Sequence, residues 1–185
     1  MPRYSLLVMS KYDMLKRVAE EEGEKCKMLW IDAGLSRFFR QDMGEGNLSL
    51  KKLDQLSDAM FAAPVTKFGI KQIQAKNTDS FVGSSPRLVT AGDMYATGAG
   101  AIDVAKRLYD MVEQNWLPNS KWDNEQVAMG CLIEQGWPGF KVAKVTSDFG
   151  PMLADLFQLR LHKRNLPGEI QRWIDKRTGA WANRD

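Results

Sequence analysis

A short apolar run that stops abruptly at a carboxylate sets the first limit on this fold. Residues 28–31 read MLWI and are followed directly by Asp32, Ala33 and Gly34. A continuous apolar run of this length is typical of a strand buried on both faces, as in a largely parallel sheet covered by helices. Ligands bind such sheets at the carboxyl ends of the strands, so we expect Asp32 to face a site.

The rest of the chain alternates between helical and extended patterns without a repeat. This order predicts an α/β fold, in which helices flank a mixed, mostly parallel sheet. Ser49 is an expected N-cap, and Asp123 is another, with Gln126 completing a capping box. Helices are predicted over 5–22, 50–60, 102–114, from 124 onwards, 152–161 and 169–176, and strands over 27–32, 65–73, 88–92, 94–96 and 140–145.

Length and charge narrow the classes of protein to which the chain can belong. Its 185 residues, 44% of them apolar, suit a single domain over 1–185. The 26 Lys and Arg residues against 23 Asp and Glu residues leave a net charge of only +3, without a basic block. A field this weak argues against a nucleic-acid partner.

Cysteine usage and hydropathy indicate the compartment. Cys26 and Cys131 are isolated from each other, whereas structural zinc sites use close pairs and small secreted domains carry several cysteines. No apolar stretch approaches 18 residues, so we expect neither a signal peptide nor a membrane span. These patterns predict a protein of the reducing cytoplasm.

Several common enzyme motifs are absent from the sequence. There is no P-loop pattern, and the glycines at 98 and 100 lack the third glycine of a dinucleotide fingerprint. The nucleophile elbow of the α/β hydrolases is also missing, and His162, the one histidine, lies in a basic stretch typical of a solvated helix end. We therefore exclude kinases, P-loop hydrolases, NAD enzymes and serine hydrolases.

What remains is a set of charged residues that suits phosphate and metal chemistry. Lys11 lies on the helix before the Asp32 strand, and Asp123 and Glu125 begin a later helix. A lysine can hold a diphosphate, a carboxylate at a strand end can hold a hard divalent cation, and a second carboxylate can serve a reacting sugar. The plainer interpretations are that Asp32 only forms a turn and that Asp123 only caps its helix.

Four segments carry a resemblance to a known family. They are residues 4–11 (YSLLVMSK), 29–39 (LWIDAGLSRFF), 91–98 (AGDMYATG) and 122–128 (WDNEQVA). Together they resemble, in order, the HtrL/YibB (WlaTC-type) family of bacterial glycosyltransferases, across roughly residues 4 to 130. The first two segments are the more specific ones.

The resemblance implies a GT-A-like fold and a role for each matched residue. It implies a transferase that moves a sugar from a nucleotide-sugar donor, a UDP-sugar, to a glycan or lipid-linked glycan acceptor in polysaccharide biosynthesis. A divalent cation, Mn²⁺ or Mg²⁺, would be held by Asp32, and Lys11, Asp93 and Gly98 would contact the donor. Asp123 or Glu125 would face the reacting centre.

The sequence departs from that family's pattern in ways that keep a second interpretation open. Gly34 stands where a second aspartate commonly sits, and Asn124 replaces an acid. Only three residues precede Tyr4, so the resemblance also predicts that the first βα unit of a GT-A fold is missing. The alternative is a binding or scaffold protein of the same fold without catalytic activity.

Overall fold

A computed structural model describes residues 3–40 and 43–161. Its four strands are β1 (Lys27–Ile31), β2 (Phe61–Val65), β3 (Asp93–Thr97) and β4 (Phe140–Val145). They form one mixed sheet in the order β1, β3, β2, β4. β3 is antiparallel to both β1 and β2, whereas β2 and β4 are parallel. Strands β1, β2 and β4 therefore run in one direction, and their carboxyl ends meet at one edge.

The expected class, α/β with a mixed sheet flanked by helices, is confirmed. The description as mostly parallel holds for strand direction but not for strand pairing. Because β3 is inserted between β1 and β2, two of the sheet's three pairings are antiparallel. β1 is consequently an edge strand and is not buried on both faces as expected; its last residue, Ile31, is 38% exposed.

Helices cover both faces of the sheet. They are α1 (Arg3–Glu22), α2 (Leu50–Asp54), α3 (Lys67–Gln74), α4 (Gly98–Met111), α5 (Glu125–Glu134) and α6 (Pro151–Leu156). Met94 and Ala96 of β3 pack in the larger core with α1, α4 and α5, while Tyr95 packs in a smaller core with Leu56 and Met152. This alternation follows from the two-residue period of a strand. The face that carries α1 is the one on which the site lies.

Local hydrogen bonding explains where the helices begin. Ser49 caps α2 as expected, since its side chain accepts from the backbone N–H of Lys52. Thr66 caps α3 in the same way through Gly69, so the predicted strand over 65–73 is wrong after Val65. The predicted N-cap Asp123 is also wrong, because Asn124 caps α5.

Other boundaries shift by a few residues. β3 is a single strand, and the segment before it contributes only an isolated bridge between Val89 and Val65. The helix expected over 102–114 begins earlier, at Gly98, and the one expected over 152–161 ends at Leu156. The helix expected over 169–176 and His162 lie outside the described residues. Within the described part of the chain, none of the helices has the length and apolar character that crossing a bilayer requires.

Candidate active site

A cleft of about 570 Å³ opens at the edge where β1, β2 and β4 end. Its lining comes from α1, the end of β1, the segment before β3, the start of α5 and the loop after β4. The charged and aromatic residues that matter below are Lys11, Trp30, Asp32, Arg87, Glu125 and Phe149. The location agrees with the expectation that ligands bind at the carboxyl ends of strands.

Lys11 lies at the centre of the charged cluster. Its side chain is 7% exposed, and its Nζ is 3.2 Å from Oε1 of Glu125 and 3.8 Å from Oδ1 of Asp32. The same ammonium donates to the backbone carbonyl of Ala91 at 3.0 Å. Since burying a cation is costly unless it is paired, these oxygens are what allow Lys11 to be buried.

Asp32 is held at the end of β1 by both its backbone and its side chain. Its N–H donates to the carbonyl of Gly92 at 2.8 Å, which extends the pairing of β1 with the β3 segment. Its Oδ1 accepts from the indole Nε1 of Trp30 at 2.5 Å, because residues two apart on a strand share a face. The side chain is 44% exposed, so Asp32 is the carboxylate of this cluster that water and ligands reach.

Glu125 is the first residue of α5 and is 4% exposed. Asn124 accepts from the N–H groups of Gln126 and Val127, which fixes the start of the helix and turns Glu125 toward Lys11. Oε1 of Glu125 binds Lys11, but its buried Oε2 has no partner among the described residues. An unpaired buried acceptor costs about 1–3 kcal/mol, and a ligand hydroxyl would satisfy it.

Another part of the cleft lining is aromatic and cationic. The guanidinium of Arg87 lies 4.1 Å from the centre of the Phe149 ring and donates to the carbonyl of Ser147. Phe149 in turn stacks on Phe38, with ring centres 4.7 Å apart. Arg87 thus brings a second positive charge to the lining of the cleft.

The negative charge of the cluster acts on a neighbouring tyrosine. Tyr12 follows Lys11 on α1, is 1% exposed and donates to the sulfur of Met94 at 3.7 Å. Burial, with the charges of Glu125 and Asp32, raises the pKa of Tyr12 well above its ordinary value. The Tyr12 hydroxyl therefore stays neutral and does not act as a base.

Asp93 does not line the cleft. It points to the face that carries α6, where Oδ2 accepts from the N–H groups of Met152 at 2.8 Å and Leu153 at 3.0 Å. Burial raises the pKa of Asp93 to about 7 against the lowering effect of these two bonds, and the charge of Asp32 adds to the rise. The residue anchors α6 to the start of β3.

Asp123 and Gly98 are also outside the charged cluster. Asp123 is fully buried and accepts from the N–H of Gly83, and from both the N–H and the hydroxyl of Ser85. Gly98 lies at the far end of β3, where an added Cβ would come within 2.3 Å of the carbonyl oxygen of Gly23. Close packing at that turn accounts for the glycine.

The structure therefore brings three of the predicted site residues together: Lys11, Asp32 and Glu125. Sequence reasoning missed Arg87 and Phe149, and it took Trp30 only as part of a strand. Arg87 lies in a loop rich in Ser and Gly, and no motif marks it. A sequence signal for Trp30 does exist, since its two-residue spacing from Asp32 places both side chains on one face.

A divalent cation does not fit the residues of this cluster well. The described residues hold no group of three or more His, Cys, Asp and Glu placed to bind a metal ion. Asp32 and Glu125 are the two carboxylates available, and the Lys11 ammonium already lies between them. Two unit charges 4 Å apart interact by about 4 kcal/mol at an effective dielectric constant of 20, so Lys11 would oppose the binding of a second cation between the same carboxylates.

Comparison with known proteins adds no family assignment: no family model matches the chain, and no similar curated protein or solved structure is found. Inference about function therefore starts from the cleft.

Proposed function

We propose that this protein is a glycosyltransferase of GT-A-like fold. In this proposal it moves a sugar from a nucleotide-sugar donor, a UDP-sugar, to a glycan or lipid-linked glycan acceptor in the cytoplasm. The supporting observation is that Lys11, Asp32 and Glu125, from three distant segments, meet in one cleft at the carboxyl ends of the strands. These are three of the six positions to which the family resemblance assigns a role.

The reaction breaks the bond between the sugar's anomeric carbon and the diphosphate oxygen and forms a bond from that carbon to an acceptor oxygen. The acceptor hydroxyl gives up its proton either to a carboxylate or to the leaving phosphate. Glu125 lines the cleft and its buried Oε2 has no partner among the described residues, so in this proposal a small movement of the side chain lets that oxygen accept a hydrogen bond from a sugar hydroxyl.

Negative charge develops on the diphosphate as it leaves, and a nearby cation lowers the barrier. Arg87 is a second cation in the lining of the cleft, and its ring contact with Phe149 keeps the guanidinium there. Lys11 is bound to protein oxygens on several sides, so it acts on the donor through its charge and by holding Glu125 in place. No step requires a metal ion.

The second candidate function is binding without catalysis. One specific observation favours it: the cation and the two carboxylates of the cluster are paired with one another. A protein of this kind would bind a nucleotide or a glycan in the same cleft and release no product.

Calorimetry with UDP and UDP-sugars, together with measurement of UDP release from those donors, tests both candidates. For the transferase we expect binding and slow donor hydrolysis in the wild type. Asp32→Asn should lose the hydrolysis while the free energy of unfolding changes by no more than about 1 kcal/mol, because the side chain is 44% exposed. Asp58→Asn, at an exposed aspartate outside the cleft, is the matched control.

The possible results separate the two functions. Binding of a nucleotide without any turnover would favour the binding protein. Absence of heat with every nucleotide and nucleotide sugar tested would reject the transferase.

A further inference from the structure

We infer that the Lys11 ammonium is the resident cation of this site and takes the place of the divalent metal that the family resemblance implies. The inference rests on the proposed function only in treating the cleft as the donor site. It concerns the charge held between Asp32 and Glu125, and it can be tested without turnover.

The oxygens around Lys11 are the kind that a hard metal ion would use. Oε1 of Glu125 is 3.2 Å from Nζ, Oδ1 of Asp32 is 3.8 Å away, and the carbonyl oxygen of Ala91 is 3.0 Å away. Two carboxylate oxygens and one backbone carbonyl oxygen make a hard-oxygen set typical of Mg²⁺ or Mn²⁺ sites. Here an ammonium on a protein side chain occupies their centre.

Charge and sequence both agree with this assignment. Two carboxylates around one ammonium leave a single net negative charge, and Arg87 adds a second positive charge to the lining of the same cleft. A divalent ion added to that set would face Lys11 at short range. Gly34 also lines the cleft and stands where the family pattern has a second aspartate. The chain therefore lacks the additional carboxylate that would offset the desolvation of a further cation.

The position of Lys11 on its helix explains why the ammonium, and not a metal ion, occupies this site. The side chain comes from the middle of α1, a helix of 20 residues, and its neighbour Tyr12 is buried in the core. An ammonium delivered by a packed helix is present whenever the protein is folded, whereas a metal ion must be recruited from solution. The consequence is that shortening this one side chain should turn the cluster into a divalent-metal site.

The test is titration of Mn²⁺ without nucleotide, in which the resonance of free Mn²⁺ is followed by electron paramagnetic resonance. We expect the wild type to leave the free Mn²⁺ signal unchanged. Lys11→Ala keeps both carboxylates and opens space between them, and we expect it to bind Mn²⁺ at least about tenfold more tightly than the wild type. Lys11→Ala with Asp32→Asn should lose the gain, and Lys11→Arg, which keeps the positive charge, should behave like the wild type.

Two results would overturn the inference. One is Mn²⁺ binding by the wild type that Asp32→Asn removes, which would show a metal site beside Lys11. The other is a folded Lys11→Ala protein, verified by circular dichroism, that gains no Mn²⁺ affinity. If Lys11→Ala does not fold, the comparison of wild type with Asp32→Asn decides the question alone.

A nucleotide titration separates this inference from the proposed function. If Lys11 is the resident cation, the affinity of the wild type for UDP should agree within about twofold in EDTA and in Mn²⁺. UDP binding that occurs only with Mn²⁺ would overturn the inference. Failure of UDP to bind under both conditions would reject the proposed function, while the Mn²⁺ titrations would still decide the role of Lys11.

Discussion

Two buried carboxylates lie two residues apart at the start of α5 and have opposite surroundings. Asp123 is fully buried, and its two oxygens accept hydrogen bonds from Gly83, Ser85 and the N–H of Asn124. Glu125 is almost as buried, yet only one of its oxygens is bound, to Lys11. Its other oxygen is buried without a described partner, and the residue is part of the cleft lining.

The difference shows how to separate a structural acid from a candidate functional one. A carboxylate whose oxygens are all bound to nearby N–H and O–H groups holds the fold, and Asp123 does so for a loop with left-handed backbone at Gly83 and Ser85. A buried oxygen that accepts no hydrogen bond lowers the stability of the folded state, because nothing in the protein replaces its lost hydrogen bonds to water. At Glu125 a ligand could supply the missing hydrogen bond.

The largest effect on stability is expected from Asp123→Ala. The substitution removes the buried acceptor of the N–H and hydroxyl donors of the 83–85 loop and of the Asn124 N–H, so we expect a loss of about 3 kcal/mol. Urea denaturation measures the loss, and Asp54→Ala, at an exposed aspartate of α2, is the control with a change within about 0.5 kcal/mol. A loss under about 1 kcal/mol for Asp123→Ala would mean that the 83–85 loop keeps its conformation without Asp123.

Glu125→Gln should affect turnover more than stability. The amide oxygen can still accept from Lys11, so the structure is retained, but the negative charge and one acceptor oxygen are lost. We expect donor turnover to fall about a hundredfold with a smaller loss of stability than Asp123→Ala. Kinetics of UDP release and urea denaturation of the same preparation give the two numbers. Unchanged turnover would place Glu125 with Asp123 among the structural acids.

Asp93 is intermediate between the two acids, and the pH dependence of the free energy of unfolding can test its role. Its Oδ2 accepts two N–H bonds from α6 while the buried Oδ1 has no described partner, and burial raises its pKa to about 7. Because the folded pKa is higher than the unfolded one, the folded state favours the protonated acid. Its contribution to stability is complete below about pH 4 and is lost as the pH rises through 7.

Asp93→Asn removes this titration while keeping an acceptor for Met152 and Leu153. Between pH 5 and pH 8 we expect the wild type to lose about 2.5 kcal/mol more stability than the variant. Urea denaturation of both proteins across that range measures the difference, and other titrating groups cancel in it. Parallel curves would show that Asp93 does not titrate in this range.

Much of the element order could be predicted because it depends on local chemistry. Ser49 caps its helix with a hydroxyl three residues from its target, and the apolar run before Asp32 forms a strand. The errors occurred where a distant contact decided the outcome. Thr66 begins a helix where alternation suggested a strand, and its hydroxyl also donates to the carbonyl of Arg87, 21 residues away.

The same division applies to the site. Lys11, Asp32 and Glu125 could be selected from the sequence because each has a chemical role and a place relative to a strand or a helix start. Asp93, Asp123 and Gly98 were selected by the same reasoning, but strand alternation, loop contacts and close packing place them elsewhere. Nothing local distinguishes Glu125 from Asp123.

The order of residues along this chain specifies its periodic elements, its capping groups and a short set of charged candidates, since these depend on neighbours within a few positions. Folding alone decides that β3 runs against its neighbours and that the Lys11 ammonium lies between two carboxylates more than 90 residues apart. Burial then determines which carboxylate oxygens are satisfied. That property depends on every element packed around a group, and it separates the acid that holds the fold from the candidate functional acid.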